Sequence, residues 1–397
     1  MSNVLHLYAT PNLCTAVALP FAVEEMIADW SALRTKMARQ VPASFARDEW
    51  AYLISFLDRA NLSRPFYEAF GEPVTSPTAP IQFLMRPRGS VGIWLPNNVS
   101  LLGPLTLILL SLTGNSIKMK GGSESEDLTS IFLDFARKNL PSCALLSFLD
   151  QCVNHEVFDR SDVRNEKFAA KVQVRIVFGS DEAAEAVHRM PHPVDSVGFS
   201  FSDRRSEAWL ETSAATDELL IDLINVFAIY GQAGCTSPRR VVLLDASLPD
   251  ALALRDRIAA LLPQVIRQVP APHIASDNIM ARQCAAAYGW NAALTEHNGA
   301  MLACGAYDLE EFAGQMTLMI VPASVAEAAS SLPPNIQTVG YGFAASDAGS
   351  INNRWLELVA RSGIKRLVPI ARMHHFGPVW DGQAYWRQSF ETVEIQQ

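Results

Sequence analysis

The chain has no excess of positive charge, no paired cysteines and no apolar run long enough to cross a bilayer. Its 32 lysines and arginines are outnumbered by 41 aspartates and glutamates, for a net charge of −9. A broad nucleic-acid face is therefore not expected, because a polyphosphate needs a basic surface. The six cysteines (Cys14, Cys143, Cys152, Cys235, Cys284, Cys304) include no CxxC pair and no short spacing. That scatter offers neither a disulfide framework nor a zinc site, and it suits a reducing cytoplasm. His188 and His192 are four residues apart, but Pro191 and Pro193 break any helix that would converge them on a metal, so no metal is expected. The most apolar segment, 101–112, is too short for a span and contains Gly103, Pro104 and Thr106, so it reads as a buried helix. Residues 1–19 lack a basic region ahead of an apolar run, which argues against a signal peptide. No internal repeat, low-complexity tract or GxGxxG run is present.

What is present is a chain of 397 residues, 49% hydrophobic and 18% charged, enough for two substantial domains with a large core. Apolar positions at helical spacing (Trp30, Leu33, Met37; Trp50, Leu53, Ile54, Leu57) predict two or three helices over 22–70. A Pro/Ser/Thr-rich linker follows at 71–80. Beyond it, short strands are predicted at 81–85, 90–95, 116–119, 172–178, 196–201, 241–244, 314–321 and 338–342. Helices are predicted at 101–112, 126–138, 181–189, 216–229, 248–262 and 324–332. Strands alternating with helices imply α/β architecture, parallel sheets with helices on both faces. The domains are expected at 1–80 (N-terminal helical segment and linker), 81–210, 211–365 and 366–397 (C-terminal segment).

The most informative stretch is Tyr230-Gly231-Gln232-Ala233-Gly234-Cys235-Thr236-Ser237-Pro238. It sets one cysteine in a small-residue turn between a predicted helix and a predicted strand. A lone cysteine is ordinarily a small buried core residue. A nucleophilic thiolate instead needs an exposed, polar-backbone setting of the kind this turn offers. Asn97-Asn98, after the segment Ser90-Val91-Gly92-Ile93-Trp94-Leu95-Pro96, reads either as a turn capping the next helix or as a fixed amide donor for an oxyanion.

These motifs resemble the aldehyde dehydrogenase superfamily, and Cys235-Thr236-Ser237-Pro238 resembles its acyl-CoA reductase (LuxC) branch. In that superfamily a Gly-Gln pair precedes the catalytic cysteine, usually with one residue between where this chain has Ala233 and Gly234. The resemblance implies that 81–210 is the dinucleotide-binding domain, that 211–365 is the catalytic domain with Cys235 as the nucleophile, and that Asn98 helps form the oxyanion hole. Gly114-Asn115-Ser116-Ile117-Lys118-Met119-Lys120 resembles the strand ending in a lysine near the adenosine ribose, which makes Lys120 a cofactor residue. Gly121-Gly122-Ser123-Glu124 follows where the family has Pro-Ser-Glu after the lysine. A positive charge at Lys120 could accept a 2′-phosphate, so NADPH is expected ahead of NADH. Gly179 and Ser180 match a Gly-Ser that meets the pyrophosphate at a helix start. Registering on Ser206 places Phe201 where aldehyde dehydrogenases keep the glutamate that activates water. Such an enzyme is suited to passing an acyl group to a thiol or reducing it. His374-His375-Phe376-Gly377-Pro378 resembles the closing segment of acyl-CoA reductases, and neither histidine is assigned a catalytic role.

The implied activity is NAD(P)H-dependent reduction of an acyl thioester, long-chain acyl-CoA first, to an aldehyde through an acyl-cysteine. Two other readings stay open. One is a reductase of a carrier-protein-bound acyl or aminoacyl thioester in a biosynthetic pathway; the other is an idle dehydrogenase-like subunit that binds a partner. The implied partners are acyl-CoA or acyl-carrier protein, an acyl-protein synthetase or other pathway enzyme, and further copies of the chain in a homo-oligomer.

Overall fold

The computed structural model describes residues 6–9, 15–73, 80–99, 101–123, 126–266, 272–295, 297, 299–309, 311, 314–343 and 353–396. Most of the expected 71–80 linker, and Glu124, lie outside these residues. The chain divides into two compact units, Met1–Ser202 with Phe376–Gln397, and Asp203–His375.

The first unit begins with an antiparallel pair, β1 (His6–Ala9) and β2 (Thr15–Leu19). Three helices follow, α1 (Val23–Met37), α2 (Arg47–Phe56) and α3 (Arg59–Phe70), where helical spacing predicted them. Trp30, Leu33 and Met37 recur on one face of α1 and are buried there. β3 (Glu72–Pro73) joins β1, and β4 (Phe83–Pro87) runs parallel to β2.

The parallel sheet of this unit starts at β5 (Ser90–Trp94), buried at every position. That continuous burial is expected of a strand covered on both faces. The apolar helix α4 (Leu102–Ser111) is buried along nearly its whole length, as its composition implied, and its Ser111 hydroxyl accepts from Trp30 Nε1 at 2.9 Å. There follow β6 (Ser116–Gly121), α5 (Leu128–Asn139), α6 (Ala144–Cys152), β7 (Val153–Val157), α7 (Arg164–Ala169), β8 (Val174–Gly179), α8 (Asp181–Arg189) and β9 (Val197–Ser202). The strand order is β7-β6-β5-β8-β9, all parallel. The chain builds outward from β5 to β7 and then returns to the other side of β5. The order therefore reverses between β5 and β8, and crevices for ligands open at the carboxyl ends of strands at such a reversal.

The second unit opens with β10 (Arg205–Glu211), α9 (Asp217–Ala228), β11 (Pro238–Leu244), α10 (Leu248–Val265) and α11 (Pro272–Ala287). It continues through β12 (Asn291–Leu294), β13 (Met301–Cys304), β14 (Thr317–Ala323), α12 (Val325–Ser330), β15 (Ile336–Gly342), α13 (Asn353–Arg361) and β16 (Arg366–Pro369). The seven strands lie in the order β12-β13-β14-β11-β10-β15-β16, parallel except for β12. Alternation along the strands splits the core in two. Leu210, Val241 and Leu243 pack with Leu220, Leu223 and Phe227 of α9 on one face, while Trp209, Val242 and Leu244 pack with Trp290 and Trp355 on the other. Glu207 of β10 is buried as an ion pair with Arg240 of β11, Oε1 to Nη2 2.6 Å.

The chain then rejoins the first unit through α14 (Tyr385–Gln388) and β17 (Phe390–Glu394). β17 lies antiparallel to β4 and completes the mixed sheet β17-β4-β2-β1-β3.

Candidate active site

Cys235 sits where α9 hands over to β11. Thr216 starts α9, its hydroxyl accepting from Leu219 N–H at 3.3 Å, and the apolar stripe Leu220, Leu223, Ile224 and Phe227 seats the helix on the sheet. After Ala228 the chain turns through three consecutive left-handed residues, Tyr230 (φ 53°), Gly231 (φ 58°) and Gln232 (φ 65°). Glycine takes that conformation without strain, while each of the other two costs about 1–2 kcal/mol.

The offset comes from the buried Gln232 side chain. Its Nε2 donates to the carbonyls of Thr317 (2.7 Å) and Pro238 (3.1 Å), and its Oε1 accepts from Thr317 N–H (2.8 Å). The amide thus pairs with the first residue of β14 as a neighbouring strand would, locking the turn to the sheet. Ser206 Oγ of β10 donates to the Cys235 carbonyl at 2.7 Å, and Ser237 N–H reaches Gly234 O at 2.9 Å. Thr236 Oγ1 lies 2.5 Å from His374 Nδ1. Held in this way, Cys235 is exposed at the amino ends of β11, β10 and β14. The other thiols among the described residues are differently placed. Burial pushes Cys304 up to about 11 and raises Cys143 and Cys152, and Cys284 lies exposed on α11.

In the first unit, Asn98 is exposed in the bend that follows β5. The N-cap of α4 is Leu101, without a side-chain cap, so neither Asn97 nor Asn98 fills that position. Gly179 closes β8, and Ser180 Oγ caps α8 by accepting from Ala183 N–H at 3.3 Å. These three residues lie at the ends of β5 and β8, the two strands that flank the reversal of strand order. Asp181 and Glu182 also occupy the first turn of α8. Asp181 accepts the Ser202 hydroxyl at 2.5 Å, and the Ser180 hydroxyl bond holds Glu182 below the usual carboxylate range.

Lys120, at the end of β6, is 7% exposed, with Nζ 5.7 Å from the centre of the Phe158 ring. Burial pulls its pKa below the usual lysine value, opposed by Asp159. A small cleft lies beside it, between the ends of β5 and β6. Its lining includes Leu95, Pro96, Val99, Gly122, Glu126 and Asp127, but not Lys120. A Cβ on Gly122 would fall 1.8 Å from Asn97 Oδ1, and one on Gly103 would fall 1.9 Å from Thr129 Oγ1. Glycine at both positions lets these side chains pack directly against the backbone. Burial opposes ionisation of Asp127, but bonds from His155 Nε2 and Ser130 N–H hold its carboxyl below the usual range.

Phe201 is buried on β9. Its ring stacks on Phe178 at 4.9 Å and meets Tyr385 edge-on at 6.0 Å. The position expected for a water-activating carboxylate therefore holds an aromatic cluster. Among the described residues no group of His, Cys, Asp and Glu side chains could hold a metal ion, and no helix is long and apolar enough to cross a membrane.

The sequence anticipated the turn around Cys235 but missed what fixes it. The partners of Gln232 and Thr236, Thr317 and His374, are far away along the chain.

A family model described as Acyl-CoA reductase (LuxC) matches residues 23–386. No curated protein matches the chain. Among solved structures, an oxidoreductase from Marinobacter aquaeolei is similar at TM-score 0.63 and 12% identity, over 94% of this chain and 84% of that one. Lactaldehyde dehydrogenase from Escherichia coli is similar at TM-score 0.59 and 14% identity, over 94% and 85%. Proline Utilization A from Bradyrhizobium japonicum is similar at TM-score 0.63 and 14% identity, and this chain spans 42% of its length. At such identities the likeness is one of fold, the aldehyde dehydrogenase-like pairing of two α/β domains.

Proposed function

The chain belongs to the acyl-CoA reductase (LuxC) family, and on that premise we propose that it reduces an acyl thioester, long-chain acyl-CoA first, to the aldehyde through an acyl-cysteine on Cys235. Family and fold make it an oxidoreductase. The observation that carries the finer reading is the exposed thiol of Cys235 on a left-handed turn, fixed by the buried Gln232 amide. A turn that strained persists only where its surroundings enforce it, and such strain is concentrated at functional sites.

In this reading the Cys235 thiolate attacks the thioester carbonyl, and Asn98 together with a backbone N–H of the turn stabilises the oxyanion. The tetrahedral intermediate collapses, the departing thiol carries away its electron pair, and an acyl-Cys235 remains. One thioester has been exchanged for another, so the step is close to balanced in free energy. A bound reduced nicotinamide supplies the hydride that takes the acyl group to the aldehyde level. Release of aldehyde then regenerates the thiolate. With Phe201 among aromatic rings, that position offers no base to activate water, which favours reduction over hydrolysis.

In this reading a nicotinamide dinucleotide lies along the ends of β5, β6 and β8, where the small cleft gives room for part of it, with Lys120, Gly179 and Ser180 as binding residues. Lys120 is the cation that favours the 2′-phosphate of NADPH. The Glu126 and Asp127 carboxylates in the cleft lining suit the bare ribose diol of NADH. Fluorescence titration with each cofactor decides between them. The reaction itself is tested by following NADPH and NADH oxidation against a panel of acyl-CoAs of increasing chain length and acyl-carrier thioesters. Aldehyde production supports the proposal, and no turnover with any thioester overturns it.

A further inference from the structure

We infer that His374 is a positioning residue for the nucleophile, its ring tying Thr236, the residue after Cys235, to the C-terminal end of α9. This rests on the reading of Cys235 as the nucleophile.

The ring makes two hydrogen bonds whose directions fix its state. Nε2 lies 2.7 Å from the Val226 carbonyl, which can only accept, so Nε2 carries the proton. Nδ1 lies 2.5 Å from Thr236 Oγ1. In a neutral ring Nδ1 has a bare lone pair, so the Thr236 hydroxyl donates to it. Burial, with the positive charge of Arg366 adding to it and the Val226 bond opposing, pulls the His374 pKa down to about 4, so the ring is neutral at physiological pH. Its lone pair is committed to Thr236 and its proton to Val226. That arrangement suits holding a residue in place and does not suit proton transfer at the thiol.

The ring is itself anchored. Arg366, at the start of β16, donates to Thr338 Oγ1 on β15 at 3.1 Å and to the carbonyls of Met373 (3.0 Å) and His375 (3.2 Å), one on each side of His374. The Tyr230 ring meets the imidazole edge-on at 6.4 Å. An unbroken chain of contacts thus runs from β15 and β16 through Arg366 and His374 to Thr236. Gln232 fixes the entry to the turn, and His374 fixes its exit.

Four variants separate the two bonds of the ring. His374→Gln places an amide N–H where Nε2 was and loses the acceptor for Thr236. His374→Asn places an amide oxygen where Nδ1 was and keeps that acceptor. Thr236→Val removes the hydroxyl, and Thr236→Ser keeps it. Single-turnover acylation by a long-chain acyl-CoA without cofactor should slow about tenfold in His374→Gln and Thr236→Val, the worth of one buried hydrogen bond. KM for acyl-CoA should stay near wild type, because Ser206 still holds the Cys235 carbonyl, while the thermal midpoint falls by about 2–4 °C for the one lost hydrogen bond. His374→Asn and Thr236→Ser should recover most of the rate. The His374→Gln/Thr236→Val double variant should be no slower than either single one, since both remove the same bond. Wild-type rates in His374→Gln and Thr236→Val, additive losses, or His374→Asn as slow as His374→Gln would overturn the inference.

Amide hydrogen exchange over residues 233–237 tests the clamp without any chemistry. It should quicken in His374→Gln and Thr236→Val and return in His374→Asn, and unchanged exchange in all of them refutes the clamp. Acyl-enzyme formed by Cys235→Ala would instead refute the nucleophile, whatever the exchange shows.

Discussion

Replacing Gln232 by leucine removes the amide that locks the nucleophile turn to β14. Three hydrogen bonds go, of 2.7, 2.8 and 3.1 Å, and the N–H and C=O of Thr317 lose a buried partner. Each such loss costs about 1–3 kcal/mol. Part is regained when Tyr230 and residue 232 leave the left-handed region, at about 1–2 kcal/mol each. The net destabilisation is then about 2 kcal/mol, a fall in midpoint of roughly 4–8 °C for a domain of this size. The larger effect falls on chemistry. Once the turn relaxes, the Cys235 carbonyl and the N–H groups around it move together, and a shift of about 1 Å at a reacting centre costs about a hundredfold in rate. Single-turnover acylation by acyl-CoA, read as released CoA, should slow by that factor while circular dichroism shows intact secondary structure. A Gln232→Leu protein that acylates at the wild-type rate with an unchanged midpoint would show that the lock does not organise the nucleophile.

Other expectations follow from the same geometry. Asn98→Ala should lower turnover by about 10²–10³-fold with a smaller change in KM, as for one lost oxyanion donor; a raised KM alone would mark a binding residue. Gly122→Ala drives a methyl against Asn97 Oδ1, so fluorescence titration should show weaker binding of NADH and NADPH in a protein that still folds. The His374 pKa lies near 4 in the folded chain and near 6.5 in an unfolded one. The unfolded state binds the extra proton first, so stability is complete above about pH 6.5 and falls by up to about 3 kcal/mol as the pH drops to 4. Denaturant titrations should show a flatter pH dependence over that window in His374→Asn.

Much of the fold is legible in the sequence, because β5, β8, β11 and β14 are short apolar runs separated by helices of clear period. β10 escapes that reading. Arg205-Ser206-Glu207-Ala208-Trp209-Leu210-Glu211 carries charges at three of its seven positions, yet it lies in the interior of the second sheet. Glu207 is tolerated there because Arg240 reaches it from β11 and Trp209 Nε1 donates to its other oxygen. α11 escapes because its buried positions are Asn278, Ala281 and Ala285, too small and polar to mark a stripe. β17 pairs with β4 at a separation of 305 residues between Arg86 and Glu391, a register no local pattern encodes. At the site, the helix–turn–strand frame of Cys235 is local and readable. The Thr317 and His374 partners that shape it are tertiary, as is the burial of Lys120 against Phe158. Phe201 could be read as the absence of a carboxylate, but its stacking on Phe178 could not.

The central claim is that Cys235 carries the acyl group and that the group leaves by reduction. Mixing the wild-type protein with a long-chain acyl-CoA and no cofactor should give a burst of CoA equal to the number of active sites, followed by slow release. Peptide mass spectrometry should then find the acyl group on Cys235, and added NADPH or NADH should discharge it as aldehyde. Steady multiple-turnover release of free fatty acid without cofactor, or an acyl group on Cys284 or Cys304 in place of Cys235, would contradict the account.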